Sequence, residues 1–155
     1  MGKTSVTALA SGPVCQVAVV VRDVEAKAKA YADLFGLKVP AVHLTGPQEE
    51  SHSRYRGKPT DGRAKLAFIQ LENLSLELIE PVGGPSTWQE FLDAHGEGVH
   101  HIAFRIKDTD GHIAMLAKKG IPLVQRGDFK GGVYSYFDGS EKLGMILELL
   151  ENRDG

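Results

Sequence analysis

The chain has 155 residues and a formal net charge of −2, with 42 % apolar and 25 % charged residues, enough for one soluble globular domain that folds without disulfides. Charge is spread without a basic block, which argues against nucleic acid, and no apolar run reaches the roughly 18 residues that a membrane-spanning helix needs. The lone cysteine, Cys15, excludes an internal disulfide and points to a reducing, cytoplasmic setting.

Residues 1–12 carry one lysine and a broken apolar stretch, a poor signal peptide. They are expected to be a flexible leader to a single domain over 13–155. Val14 to Arg22 (VCQVAVVVR) is β-branched and nearly continuous in apolar residues, so it reads as the first strand. Asp23 is placed to cap a helix. Val24, Ala28, Tyr31 and Phe35 recur at helical spacing, and Gly36 stands where a glycine would end it. Leu37 to Val39 is predicted to begin a second strand that Pro40 stops.

Residues 41–62 turn polar, and roughly 20 residues without periodicity indicate either a functional loop or a solvated insertion. Ala64 to Leu71 and Leu74 to Glu80 read as strands joined by a turn at Glu72-Asn73. Ser86 then caps a short helix over 86–95, with Gln89 as its capping-box partner, Gly96 beyond its end, and Trp88, Phe91 and Leu92 on its apolar face. This helix bridges two halves.

From Val99 the first half repeats. His101-Ile-Ala-Phe-Arg-Ile-Lys-Asp108 parallels Gln16-Val-Ala-Val-Val-Val-Arg-Asp23, with His101 and Asp108 each 85 residues after their counterparts. Gly120 answers Gly36 at an offset of 84, Val133 to Phe137 matches a later strand, and Leu147-Glu-Leu-Leu-Glu151 nearly repeats Leu76-Glu-Leu-Ile-Glu80. The chain is therefore two βαβββ modules, about 14–82 and 98–152.

Alternation from His101 puts His101, Ala103 and Arg105 on one face and Ile102, Phe104 and Ile106 on the other. His100 falls on the opposite face from His101 and reads as structural or exposed. The repeat makes Gln16 equivalent to His101, and Glu77 to Glu148. If the modules pack with pseudo-two-fold symmetry, an amide, an imidazole and two carboxylates converge. That set suits one divalent ion such as Zn, Co, Mn or Ni. It also accounts for two glutamates among leucines, because a carboxylate in an apolar cavity must be neutralised, paired or bound to a cation. Glu80 and Glu151 read as surface residues, and Trp88, Phe91 and Tyr31 as core. Tyr134, Tyr136 and Phe137 either line the cup or pack behind it. His43, His52, Arg54, Tyr55 and Arg56 could meet an anionic substrate from the loop or simply be solvated.

The doubled unit with Gln16, Glu77, His101 and Glu148 in place resembles the vicinal oxygen chelate superfamily over about Val14 to Glu151, and Ser86 to Phe104 (STWQEFLDAHGEGVHHIAF) is similar to the methylmalonyl-CoA epimerases. The resemblance implies an α+β fold, two βαβββ modules forming a cup-shaped mixed sheet, a metal held by those four residues, and a homodimer. The ligand set is closer to that of eukaryotic-type glyoxalase I, but the three glutathione anchors of that enzyme are replaced here by Val20, Pro81 and Glu97. The epimerases carry a second catalytic glutamate before the strand at Ala64 to Leu71, and the nearest carboxylate here is Asp61.

The implied function is metal-dependent isomerisation or epimerisation of a small-molecule substrate, with an acyl-CoA favoured, by proton abstraction beside a carbonyl or thioester. Glu148 is the implied base, alone or with Asp61, and Arg56, Tyr55 and Tyr136 are the expected substrate contacts. The alternatives are a glyoxalase-type lyase on a non-glutathione substrate and a small-molecule binding or resistance protein without catalysis. A 2-His-1-carboxylate dioxygenase fits less well, because Gln16 stands at the first ligand position.

Overall fold

The computed structural model describes residues 5–153. In chain order the elements are β1 (Gln16–Val20), α1 (Val24–Phe35), β2 (His43–Leu44), α2 (Gln48–Ser51), β3 (Arg54–Tyr55), β4 (Lys58–Pro59), β5 (Arg63–Gln70) and β6 (Ser75–Val82). After the bridging helix α3 (Thr87–His95) come β7 (Gly98–Arg105), α4 (Thr109–Lys118), β8 (Leu123–Phe129), β9 (Gly132–Phe137), α5 (Ser140–Leu143) and β10 (Ile146–Asn152).

All ten strands form one sheet in the order β2-β5-β6-β1-β7-β10-β9-β8-β3-β4. β1 runs parallel to β6, β7 runs parallel to β10, and the two parallel pairs meet antiparallel at β1 and β7. The arrangement β2-β5-β6-β1 is thus repeated by β8-β9-β10-β7, with the pseudo-two-fold between β1 and β7. This is an α+β fold of two βαβββ modules, the curled mixed sheet expected from the repeat.

Strand alternation divides the two faces. Leu78 packs with Val24 and Ala28 of α1, and Leu147 and Leu149 pack with Met115 and Leu116 of α4. The leucines beside the repeated glutamates therefore face the helices, which leaves the glutamates on the concave side. There α3 plugs one end of the cup, with Trp88 and Leu92 against Ala18, Val20, Ile79 and Tyr136.

Asp23 accepts the Ala26 amide at 3.1 Å and Gly36 closes α1 at φ 66°, a backbone conformation that favours glycine. Ser86 accepts the Gln89 amide at 3.0 Å, but the Gln89 side chain turns to Asp93 at 2.9 Å rather than back to Ser86, so only half of the expected capping box forms.

Three expectations are corrected. Leu37 to Val39 is not a strand: the chain leaves the helix exposed there, and the edge strand is β2, paired with Lys65 and Leu66. The polar stretch at 41–62 is neither a bare lid nor an unstructured insertion. Its β3–β4 hairpin pairs with β8 and so ties the first module to the far edge of the second. Glu151 is half-buried and more than a surface residue, since its carboxylate accepts the Asp108 and Thr109 amides at 3.0 and 3.1 Å and fixes the start of α4.

Residues 1–4 of the expected leader lie outside the described residues, as do 154–155 of the domain; Val6 and Leu9 pack beside α4. Among the described residues no helix is long and apolar enough to cross a membrane. Asp23→Ala should remove the α1 cap and lower stability by about 1 kcal/mol, read as a fall in the urea midpoint at constant m value.

Candidate metal centre

Register brings the ligand positions together. Glu77 and His101 flank Ala18 from β6 and β7, while Gln16 and Glu148 flank Ala103 from β1 and β10. Ala18 and Ala103 are fully buried, and their methyl groups leave the space the longer side chains converge into.

His101 Nε2 lies 2.9 Å from Glu148 Oε2, 3.5 Å from Glu77 Oε2 and 3.3 Å from the amide end of Gln16. That amide end is in turn 3.0 Å from Glu77 Oε2 and 2.8 Å from Glu148 Oε2. Between two carboxylates the amide presents its NH2 as a donor; with a cation in their midst its carbonyl oxygen takes the same place. One chain supplies all four side chains.

The donor set fits a divalent ion. For metal–ligand bonds of ~2.1 Å, neighbouring donors lie ~3.0 Å apart around an octahedral centre and ~3.4 Å apart around a tetrahedral one, close to the separations found here. Two carboxylates and a neutral imidazole also carry the charge that one dication neutralises. Glu77, His101 and Glu148 are buried, the setting in which such neutralisation counts most.

Burial opposes a charge on His101, but Glu148 and Glu77 overcome it and raise its pKa to about 9. Burial, reinforced by Glu148 and only partly offset by the His101 hydrogen bond, also raises the pKa of Glu77. Without a cation, His101 is therefore an imidazolium at neutral pH and holds the two carboxylates itself.

Beside the cluster lies a cavity of about 420 Å³ lined by Gln16, Glu77 and Glu148 and walled by Leu66, Phe68, Trp88, Phe129, Tyr134, Tyr136 and Leu150. Thr45, Arg105 and Lys130 add its remaining polar groups. Trp88 Nε1 donates to the Tyr136 hydroxyl at 3.1 Å, and Gln125 Nε2 donates to the Tyr134 hydroxyl at 3.1 Å. Burial first, then the nearby glutamates, pushes both phenols well above their ordinary pKa, so they stay protonated. Gly127 permits this wall, since a Cβ there would lie 2.8 Å from the Tyr134 ring.

Of the expected substrate contacts, Tyr136 lines this cavity. Tyr55 and Arg56 are placed elsewhere: Glu90 of α3 accepts from the Tyr55 hydroxyl and from Arg56 Nη2 at 2.8 Å, which secures the β3–β4 hairpin to α3. Asp61 is exposed beside Gly83 and Gly84 and does not line the cavity. Sequence reading missed Lys130, which sits in the turn between β8 and β9, and took Trp88 for core alone. It also missed Arg105 as a cavity residue, although the face that Arg105 shares with His101 was the signal that could have placed it there.

His100 is also placed differently from the expectation. β7 carries one extra residue opposite the step from Ala18 to Val19, a β-bulge that turns His100 to the same side as His101. Its ring packs edge-on against Phe91 and Tyr136, and its Nδ1 lies 2.8 Å from His101 Nδ1. Burial, then the charge of His101, holds its pKa well below the ordinary histidine value, so it is neutral.

Because His101 must lose its proton to ligate, each divalent ion bound below about pH 9 should displace about one proton, and apparent affinity should rise with pH until it levels near pH 9. Calorimetric titration of Zn²⁺ in buffers of different ionisation enthalpy measures that proton count; a count of zero at pH 7 would contradict the ion pair.

Comparison with known proteins agrees with the geometry. Residues 15–137 match the Glyoxalase/Bleomycin resistance protein/Dioxygenase superfamily. The chain is 30 % identical over 92 residues to the uncharacterized protein YqjC of Bacillus subtilis (strain 168), a match spanning 57 % of this chain and 66 % of that relative's length. It is 30 % identical over 124 residues to the ethylmalonyl-CoA/methylmalonyl-CoA epimerase of Cereibacter sphaeroides, covering 79 % of this chain and 82 % of that one. A solved methylmalonyl-CoA epimerase in complex with methylmalonyl-CoA and NH4+ superposes with a TM-score of 0.63 at 23 % identity, covering 90 % of this chain and 94 % of the other, and so shares the fold. With its duplicated modules and the match over residues 15–137, the chain belongs to the glyoxalase/bleomycin resistance/dioxygenase superfamily.

Proposed function

We propose that this protein is a metal-dependent isomerase of the epimerase type, which moves a proton on the carbon beside a carbonyl or thioester, with an acyl-CoA as the favoured substrate. The observation that carries this reading is the convergence of Gln16, Glu77, His101 and Glu148 at the floor of a largely apolar cavity. The epimerase relative supports the reaction class, and the neighbour solved with methylmalonyl-CoA supports the substrate class.

A divalent cation held by the four side chains supplies Lewis-acid polarisation of the substrate oxygen. Glu148 faces the cavity and takes the proton from the adjacent carbon. Returning a proton to the opposite face requires a second donor. Among the described lining residues only Glu77 is a further carboxyl group, and it stands across the pseudo-two-fold from Glu148. Asp61, outside the cavity lining, has no part in this reading.

Apolar walls exclude water and strengthen electrostatic contacts within. Arg105 lies beside Leu150 at the cavity, and its Nη1 is 3.4 Å from Asn152 Oδ1. With Lys130 it offers positive charge to an anionic substrate group. A lyase acting on a non-glutathione adduct would use the same carboxylate, whereas a binding protein without catalysis would not need four donors in register, three of them buried.

Glu148→Gln is expected to lower metal-dependent exchange of solvent deuterium into an acyl-CoA substrate by at least about 10²-fold, with little change in thermal midpoint. Unchanged exchange would remove Glu148 from the reaction. Arg105→Ala should raise KM about tenfold at nearly constant kcat, the pattern of lost ground-state binding, measured by steady-state kinetics.

A further inference from the structure

We infer that His100 is a positioning residue for the metal centre: it accepts the Nδ1 proton of His101 and thereby presents the Nε2 lone pair of His101 to the cation. The inference rests on the reading of Gln16, Glu77, His101 and Glu148 as ligands.

The geometry leaves few alternatives. His101 Nε2 is the nitrogen that faces Glu148, Glu77 and Gln16, at 2.9, 3.5 and 3.3 Å. It can ligate only with that nitrogen unprotonated, which puts the ring proton of a neutral His101 on Nδ1. Nδ1 meets one partner, His100 Nδ1, at 2.8 Å. Two ring nitrogens this close share one proton. If it belonged to His100, neutral His101 would carry its proton on Nε2 and could not bind the ion. The remaining arrangement has His101 donating and His100 accepting, with the His100 proton on Nε2.

The fold builds this contact on purpose-made backbone. Regular alternation would send adjacent residues to opposite faces, and the bulge at His100 is what brings both rings to one side. Phe91 and Tyr136 then clamp the His100 ring edge-on, at centroid distances of 5.4 Å each. Full burial of both histidines keeps water from replacing either as partner. His100 Nε2 has no hydrogen-bond partner of normal geometry among the described residues, so the only hydrogen bond that its side chain makes is the one to His101. Metal-bound imidazoles usually lean on a carboxylate, a backbone carbonyl or water through their other nitrogen; here a second imidazole fills that place.

The test combines a tautomer measurement with metal affinities. Long-range ¹H–¹⁵N correlation of the zinc-loaded wild-type protein should show His101 protonated at Nδ1 and His100 at Nε2. His100→Phe keeps an aromatic ring between Phe91 and Tyr136 but removes the acceptor, and should weaken Zn²⁺ binding by about 10- to 100-fold in a chelator competition. His100→Gln, whose carbonyl can accept the same proton, should recover most of that loss. A purely packing role predicts the reverse order, with the phenylalanine variant nearer to wild type. A zinc-loaded spectrum with His100 protonated at Nδ1, or a folded phenylalanine variant that binds Zn²⁺ as tightly as wild type, overturns the inference and leaves the ligand set standing. Failure of the wild-type protein to bind Zn²⁺, Co²⁺, Mn²⁺ or Ni²⁺ would overturn both.

Discussion

Two carboxylates buried side by side set the conditions that the remainder of this molecule meets. Left uncompensated, each charged group taken out of water costs several kcal/mol, and Glu77 and Glu148 are both buried. Compensation has to be positive and has to reach both. In the protein alone His101 fills that role as an imidazolium, which is why its pKa is raised so far despite full burial. A divalent ion can take over the role at the same place. The cluster is therefore compensated by His101 in the protein alone and, after loss of one proton, offers a donor set that would suit a divalent ion.

The duplicated module is what makes such convergence possible. Each half contributes one residue from its first strand and one from its last, and the antiparallel junction of β1 with β7 brings the four strands side by side. Ala18 and Ala103 occupy equivalent places and are flanked by the ligand positions on either side. Larger side chains there would fill the space that the glutamates, the glutamine and the histidine share. The helices cover the opposite face, so one strand pattern serves both the core and the cup: leucines outward to α1 and α4, glutamates inward.

Symmetry also sets two carboxyl groups facing each other across the cluster. Glu77 and Glu148 approach from opposite modules, and the aromatic wall that closes the cavity draws on both modules and the helix between them, with Phe68 of β5, Trp88 of α3, Phe129 of β8 and Tyr134 and Tyr136 of β9. The hairpin from the first module, locked to α3 by Glu90, stiffens the side of the cup where the walls are built.

Much of this was legible in the residues. The offset of 85 between Gln16 and His101, the near-identity of the two Leu-Glu-Leu words and the capping Asp23 are local or periodic signals. They determined the modules, the three longer helices α1, α3 and α4, and the four positions whose side chains converge, because strand alternation and helix caps depend on nearest neighbours. Contacts between distant segments left no such trace. Nothing local in Arg54 to Pro59 shows that it pairs with β8 across the molecule, and Glu90 captures Tyr55 and Arg56 only because α3 docks where it does. His100 is the sharpest case: counting by twos assigns it to the wrong face, since a bulge is a mismatch between two strands and belongs to neither sequence alone. The chain by itself determined which atoms could hold a cation; the tertiary structure decided which imidazole supports them, because that contact exists only where β7 slips one residue against β1.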